Sequence, residues 1–130
     1  MIKHYFLRNN SGFTLIEIIA VMVILGILAA VAVPRYVDLE DNAKQRAIDT
    51  LVTEINARES LTWADHKISE SGFVNDAKIF GEINFVFDPN YTWSSGDPKV
   101  TGGSVRFKGE TFTLSRTPSS FLKSAVWKRN

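Results

Sequence analysis

One acidic residue stands inside an otherwise apolar run. Between Phe13 and Val33 the only charged side chain is Glu17, with Gly12, Phe13 and Thr14 just before it. A carboxylate inside a membrane-spanning helix costs about 2.5–3.5 kcal/mol on insertion scales, so a passive span gains nothing by keeping one. Two fates are open to it. It snorkels to the nearer membrane face, because it lies close to the start of the run. Alternatively it meets a cation in an assembled state, where an ion pair among packed apolar helices is weakly screened. Thr14 offers a hydroxyl one helical turn earlier, either to support that spot or only to cap a helix start.

Other residue types that do chemistry are sparse. The absence of cysteine rules out a disulfide framework, a Cys-based zinc site and a thiol nucleophile. His4 and His66 have no companion at metal spacing, and His66 is expected on a helix surface. Asp88, Asn90 and Asp97 are weak calcium candidates, since loop oxygens are what calcium takes. Around Pro89 and Gly96-Asp97-Pro98 they read better as turn formers. No phosphate loop or nucleophile elbow is present. The expectation is a protein without enzymatic activity and without a cofactor.

The apolar run must position Glu17. As a helix it spans about 31 Å, close to a bilayer core. Lys3 and Arg8 precede it and no positive charge follows until Arg35, which predicts a cytoplasmic N-terminus and an external C-terminal part. Three segments have this outline. One is a secretory signal cut after Ala32 in Ala30-Val31-Ala32, which would release a soluble binding domain. Another is a plain anchor. The third is a signal cut before the run, so that the run is kept.

Ser11-Gly12-Phe13-Thr14-Leu15-Ile16-Glu17, continued through Val21-Met22-Val23-Ile24-Leu25-Gly26-Ile27-Leu28-Ala29-Ala30 to Pro34, resembles the class III signal of type IV pilins and of the pseudopilins of type II secretion. The resemblance covers roughly residues 8–60. It implies cleavage after Gly12 by a membrane-embedded prepilin peptidase and N-methylation of Phe13 by the same enzyme. It implies that Glu17 meets the new N-terminal amine of a neighbouring subunit, with Thr14 close by. It also implies that the stretch around Gly26 and Pro34 can unwind when a subunit leaves the membrane, in line with the weak helix propensity of both residues. Ala20, Gly26, Ala29, Ala30 and Ala32 are small enough for close helix approach.

Beyond Pro34 the helical pattern continues. Ala43, Ala47, Ile48, Leu51, Ile55 and Leu61 recur at helical steps, while Lys44, Arg46, Glu54, Arg58 and Glu59 read as a charged, solvated face. Joined to the apolar run, the helix would extend some 50 residues, about 75 Å. Ser69-Glu70-Ser71-Gly72 is the expected stop, with Gly72 as cap. Ile83–Phe87 alternates and reads as a strand before the turn at Asp88-Pro89-Asn90, and Tyr91–Trp93 as strand or loop. Val105–Phe107 and Thr111–Leu114 flank Lys108-Gly109-Glu110 as a hairpin, burying Val105, Phe107, Phe112 and Leu114. Ser119–Asn130 reads as a last strand or clasp, and the Trp and Phe residues as core.

The fold class expected is α+β: a long N-terminal helix, half transmembrane and half amphipathic, packed on a small antiparallel sheet. Residues 1–12 form a leader and 13–34 a transmembrane and polymerisation helix. Residues 35–130 form a periplasmic head, with an amphipathic helix over 35–70 and a sheet region over 79–130. The function implied by the resemblance is a structural subunit of a type IV pilus-like filament; the alternative is a type II secretion pseudopilin. The implied partners are further copies of the chain, the peptidase, the membrane before assembly, and an inner-membrane assembly platform with a cytoplasmic ATPase. The implied location is the inner membrane for the precursor, then a periplasmic or extracellular filament. A net charge of +1 gives no reason to expect nucleic acid, and the basic residues Lys123, Lys128 and Arg129 are ordinary for solubility. The lack of cysteine departs from pilins that close a C-terminal loop with a disulfide, and Glu17 favours a bulk subunit over a tip subunit.

Overall fold

A computed structural model describes residues 12–69 and 71–130. They form helix α1 (Leu15–Ile68), helix α2 (Asp76–Glu82) and strands β1 (Tyr91–Trp93), β2 (Gly102–Phe107), β3 (Glu110–Thr117) and β4 (Val126–Arg129). The chain divides into two compact units, Met1–Glu40 and Asp41–Asn130.

In the first unit every described residue is exposed. From Leu15 to Val33 α1 is apolar on all sides but for Glu17, long and apolar enough to cross a membrane by length and composition. The helix is continuous through Gly26 and Pro34. Proline has no N–H, so the carbonyl of Ala30, one turn earlier, lacks its usual helical donor.

The second unit packs the C-terminal part of α1 on one face of a sheet ordered β1-β2-β3-β4, all antiparallel. Ile48, Leu51 and Ile55 meet Val105, Phe107, Leu114 and Trp127 in its core. Phe85 meets Trp93 and Trp127 edge to face and the two tryptophans lie tilted to each other, with ring centres 5.8–6.0 Å apart. The expected hairpin is present: Phe107 pairs with Glu110 across Lys108 and Gly109, both at positive φ. A two-residue turn with both corners at positive φ matches the twist of its strands. Phe112 is only half-buried against the core. On the outer strand β4, Asn56 of α1 occupies the free edge, donating to the Trp127 carbonyl (3.1 Å) and accepting from its N–H (2.7 Å).

Several expectations are corrected. Ile83–Phe87 is not a strand, although Ile83 is buried and Phe85 and Phe87 are half-buried. Its backbone is held by side chains instead. Arg58 donates to the carbonyls of Asn84 and Val86, Trp93 Nε1 donates to that of Phe85, and the Asn84 side chain accepts from Val86 N–H. Alternation therefore reports burial here, not strand pairing. Residues 76–82, partly inside the expected sheet region, form α2, capped by Asn75, whose side chain accepts from Lys78 N–H at 2.9 Å. Ala43 and Leu61 are exposed, whereas Glu59 and His66 are buried along the stripe that starts at Ile48. Phe121 is exposed, not core. The helix stops at Ile68, and Gly72 N–H donates to the Ser69 carbonyl (3.0 Å), closing a turn beyond it; Glu70 lies outside the described residues.

Gly102 starts β2 with φ +134°, and a Cβ there would lie 2.2 Å from the Leu114 carbonyl oxygen. Gly102→Ala is expected to lower stability by about 1–3 kcal/mol, the cost of a strained backbone position or of pushing β3 away. Urea unfolding of the full chain in detergent, followed by tryptophan fluorescence, checks it.

Candidate functional site

The N-terminal site is built around a helix start. Thr14 precedes the first residue of α1, and its N–H and its hydroxyl both donate to Glu17 Oε2 at 2.7 Å. Glu17 N–H lies 3.4 Å from the Thr14 hydroxyl oxygen, which accepts it. This is a capping box, in which threonine and glutamate satisfy each other's free backbone donors. The positive end of the helix dipole favours an acid at this place. A groove of about 520 Å³ lined by Phe13, Glu17, Ile18, Ala20 and Val21 runs beside the carboxylate. Phe13 is 86% exposed. A Cβ added to Gly12 or to Gly26 would meet nothing within 4 Å. Among the described residues no packing asks for glycine at either position. The remaining leader residues, with Lys3, His4 and Arg8, lie outside the described residues.

A second polar centre lies inside the Asp41–Asn130 unit. Arg116 of β3 has a fully buried side chain. Its Nε donates to Glu59 Oε1 (2.5 Å) and its Nη2 to Glu59 Oε2 (3.2 Å). The same guanidinium reaches Asp76 of α2 with two bonds of 2.8 Å and the Val100 carbonyl at 3.0 Å. Trp127 Nε1 donates to Glu59 Oε1 (2.9 Å). Asp76 Oδ1 accepts from the N–H and the hydroxyl of Ser119, each at 2.6 Å. One cation thus ties α1, α2, β3 and the approach to β4 together. Burial opposes ionisation of Asp76, but the bonds from Arg116 and Ser119 outweigh it and hold its carboxyl below the usual value. Burial also works against the Arg116 charge; the bonds to Asp76 and Glu59 overcome it and raise the guanidinium above its ordinary value.

Glu59, Arg116, Asp76 and Trp127 were not singled out as a group by sequence reasoning. The signal available was a carboxylate in phase with Ile48, Leu51 and Ile55 on α1. His66 is buried, not on the surface, with Nε2 2.8 Å from Glu82 Oε2. The calcium candidates are engaged in turns. Asp88 accepts from Asn90 N–H and from the Asn90 side chain, and Asp97 Oδ2 accepts from Ser104 N–H (2.7 Å). Among the described residues no group of three or more His, Asp or Glu is placed to hold a metal.

An N-terminal helix apolar on every face, started by a threonine–glutamate box, in a chain whose second unit packs a helix on a small antiparallel sheet, defines a pilin-like subunit. A family described as the prokaryotic N-terminal methylation motif matches residues 7–33. The type IV narrow pilus major component of Thermus thermophilus is 36% identical over 106 residues, 82% of this chain and 87% of that protein. A fimbrial protein of Pseudomonas aeruginosa is 39% identical over 126 residues, 92% of this chain and 78% of its own length. The type II secretion system core protein G of Pseudomonas aeruginosa is 62% identical over 37 residues, 28% of this chain and 26% of that protein. No solved structure matches. The chain belongs to the type IV pilin family.

Arg116→Met leaves Glu59 buried without its cation and is expected to cost about 3–5 kcal/mol, read by thermal melting of the full chain in detergent. Asp76 contributes stability that is complete above the ordinary carboxyl value of 3.8 and is lost as pH falls below it, through the lowered folded value. Melting between pH 7 and pH 2 should therefore show an acid loss that Asp76→Asn removes in part, from a lower starting stability.

Proposed function

We propose that the chain is the repeating subunit of a type IV pilus, made as an inner-membrane precursor and carried into a periplasmic or cell-surface filament. Its role is structural rather than catalytic, in keeping with the names of its relatives. The observation that carries the reading is the apolar helix exposed on every face from Leu15 to Val33. Such a surface is satisfied first by lipid and then by the same helix of other copies.

In this role Gly12 is the residue after which a prepilin peptidase cuts. Open space around Gly12 fits a requirement imposed by an enzyme rather than by the fold. Phe13 becomes the N-methylated first residue. Glu17 pairs with the amine of a neighbouring subunit. Both Thr14 bonds fall on Oε2, so a neighbour's cation can approach Oε1 without breaking the cap. Gly26 offers a close-approach point, and Gly26 and Pro34 are where the helix gives way during extraction. An inner-membrane platform with a cytoplasmic ATPase drives assembly. The match to core protein G favours a second reading, a type II secretion pseudopilin, but that match spans 37 residues whereas the pilus relative aligns over 106.

Protein recovered from the cell envelope should start at Phe13 and carry one extra methyl by mass. A start at Val33 would overturn the filament reading. Glu17→Val should be cut normally but lose filaments. A pair worth about 3 kcal/mol lowers each subunit's association roughly a hundredfold, and counting filaments by electron microscopy checks it. Normal filaments from this variant would remove the role given to Glu17.

A further inference from the structure

Two small apolar surfaces of this chain are exposed, and the charged residues beside them differ in sign. The first is a tight turn. Ser120 N–H donates to the Lys123 carbonyl (2.7 Å) and Lys123 N–H to the Ser120 carbonyl (3.3 Å), which puts Phe121 and Leu122 at the corners. Such corners usually carry Gly, Asn, Asp or Pro. Phe121 is 60% exposed and Leu122 86%. The turn is nonetheless braced from one face of α1. Ser60 and Ser124 hydroxyls are 3.2 Å apart, and Trp63 Nε1 donates to the Ser120 carbonyl (2.9 Å). Lys67 Nζ donates to the Phe121 carbonyl (2.9 Å) and lies 3.2 Å from the centre of its ring. Phe121 also meets Phe73 edge to face, ring centres 6.3 Å apart, so the braced turn holds Leu122 outward at its tip.

The second surface follows Pro34, beyond the run that suffices to span a bilayer. Tyr36 is 76% exposed, Val37 52% and Leu39 68%. Tyr36, Leu39 and Glu40 fall on one helical face. Asp38 and Glu40 outnumber Arg35 beside them. The turn carries the opposite sign, with Lys67 and Lys123 at its rim.

We propose that the Phe121–Leu122 turn of one subunit docks on the Tyr36–Leu39 segment of a second copy, with Lys123 facing the acidic residues there. Apolar side chains fill the centre and complementary charges line the rim, which sets register. The two patches differ, so the contact is heterologous and repeats into an open fibre. The inference rests on the filament reading.

The chain has no cysteine, so introduced ones report without background. Full-length Leu39→Cys, Leu122→Cys and the double variant are made in filament-producing cells, treated with a mild oxidant and run on non-reducing gels. The double variant should give a ladder of multimers, and each single variant should stay monomeric. Filaments of the double variant with no ladder would overturn the contact and leave the pilus reading intact. Dimers from Leu122→Cys alone would mean that the turn meets itself, which also overturns it. Should the double variant not assemble, co-expression of the two single variants must give a mixed dimer, and mixed filaments without one count against the contact. Absence of filaments from the unmodified chain would remove both the pilus reading and this contact.

Discussion

A helix that is apolar on every face cannot be left in water, and the N-terminal part of α1 is such a helix. Soluble helices put one stripe toward a core and charge on the other side. From Leu15 to Val33 there is no second side, and Glu17 is the only charge. Lipid meets this demand for one copy and packed neighbours meet it for many, so the same residues serve a membrane state and a filament state. The capping box belongs to this constraint. By accepting from both Thr14 donors, Glu17 enters apolar surroundings with part of its hydrogen-bonding need already met.

The second unit solves a different problem, which is how a small sheet holds its helices in register. A buried cation between two carboxylates is a poor source of stability compared with well-packed apolar residues. Its merit here is geometric. Glu59 fixes the rotation of α1, Asp76 fixes the start of α2, and Ser119 is drawn in by the same Asp76 oxygen. A guanidinium is planar and donates in fixed directions, so these elements satisfy it together in one arrangement only. The turn at Phe121 and Leu122 follows directly after Ser119, so its base is held by the same network.

What was legible in the sequence follows from these two solutions. The apolar run, its single acid and the glycine before it could be read because an all-apolar segment has few physical meanings. The Lys108-Gly109 hairpin was legible from a glycine set between two alternating apolar runs, although Lys108 itself takes a positive φ that few side chains adopt. Glu59 and His66 were misread because a hydrophobic pattern counts every charge as solvent-facing, whereas Arg116 and Glu82 supply partners from distant parts of the chain. Ile83–Phe87 was misread because its alternation is real while its hydrogen-bond partners are side chains of Arg58 and Trp93 rather than a strand. Helix α2 is too short for periodicity to show, and its one local sign was the Asn75 cap. Long-range pairing of polar groups is common to the misreadings of Glu59, His66 and Ile83–Phe87.

The same division bears on the choice between a pilus and a secretion fibre. Any fibre built by packing this helix places the same demands on residues 13–34: apolar faces, small residues for close approach, and an acid near the start. High identity over a short stretch, as with core protein G over 37 residues, therefore carries little information about the machine. The head is free to differ between machines, because its outer surfaces meet different neighbours. Similarity that runs through the head, as with the narrow pilus component over 87% of its length, is the more discriminating observation. Core residues such as Trp127 and Arg116 answer to the fold, whereas exposed residues of the head are free to answer to neighbours. The machine is thus written in the exposed residues of the head rather than in the helix that identifies the family.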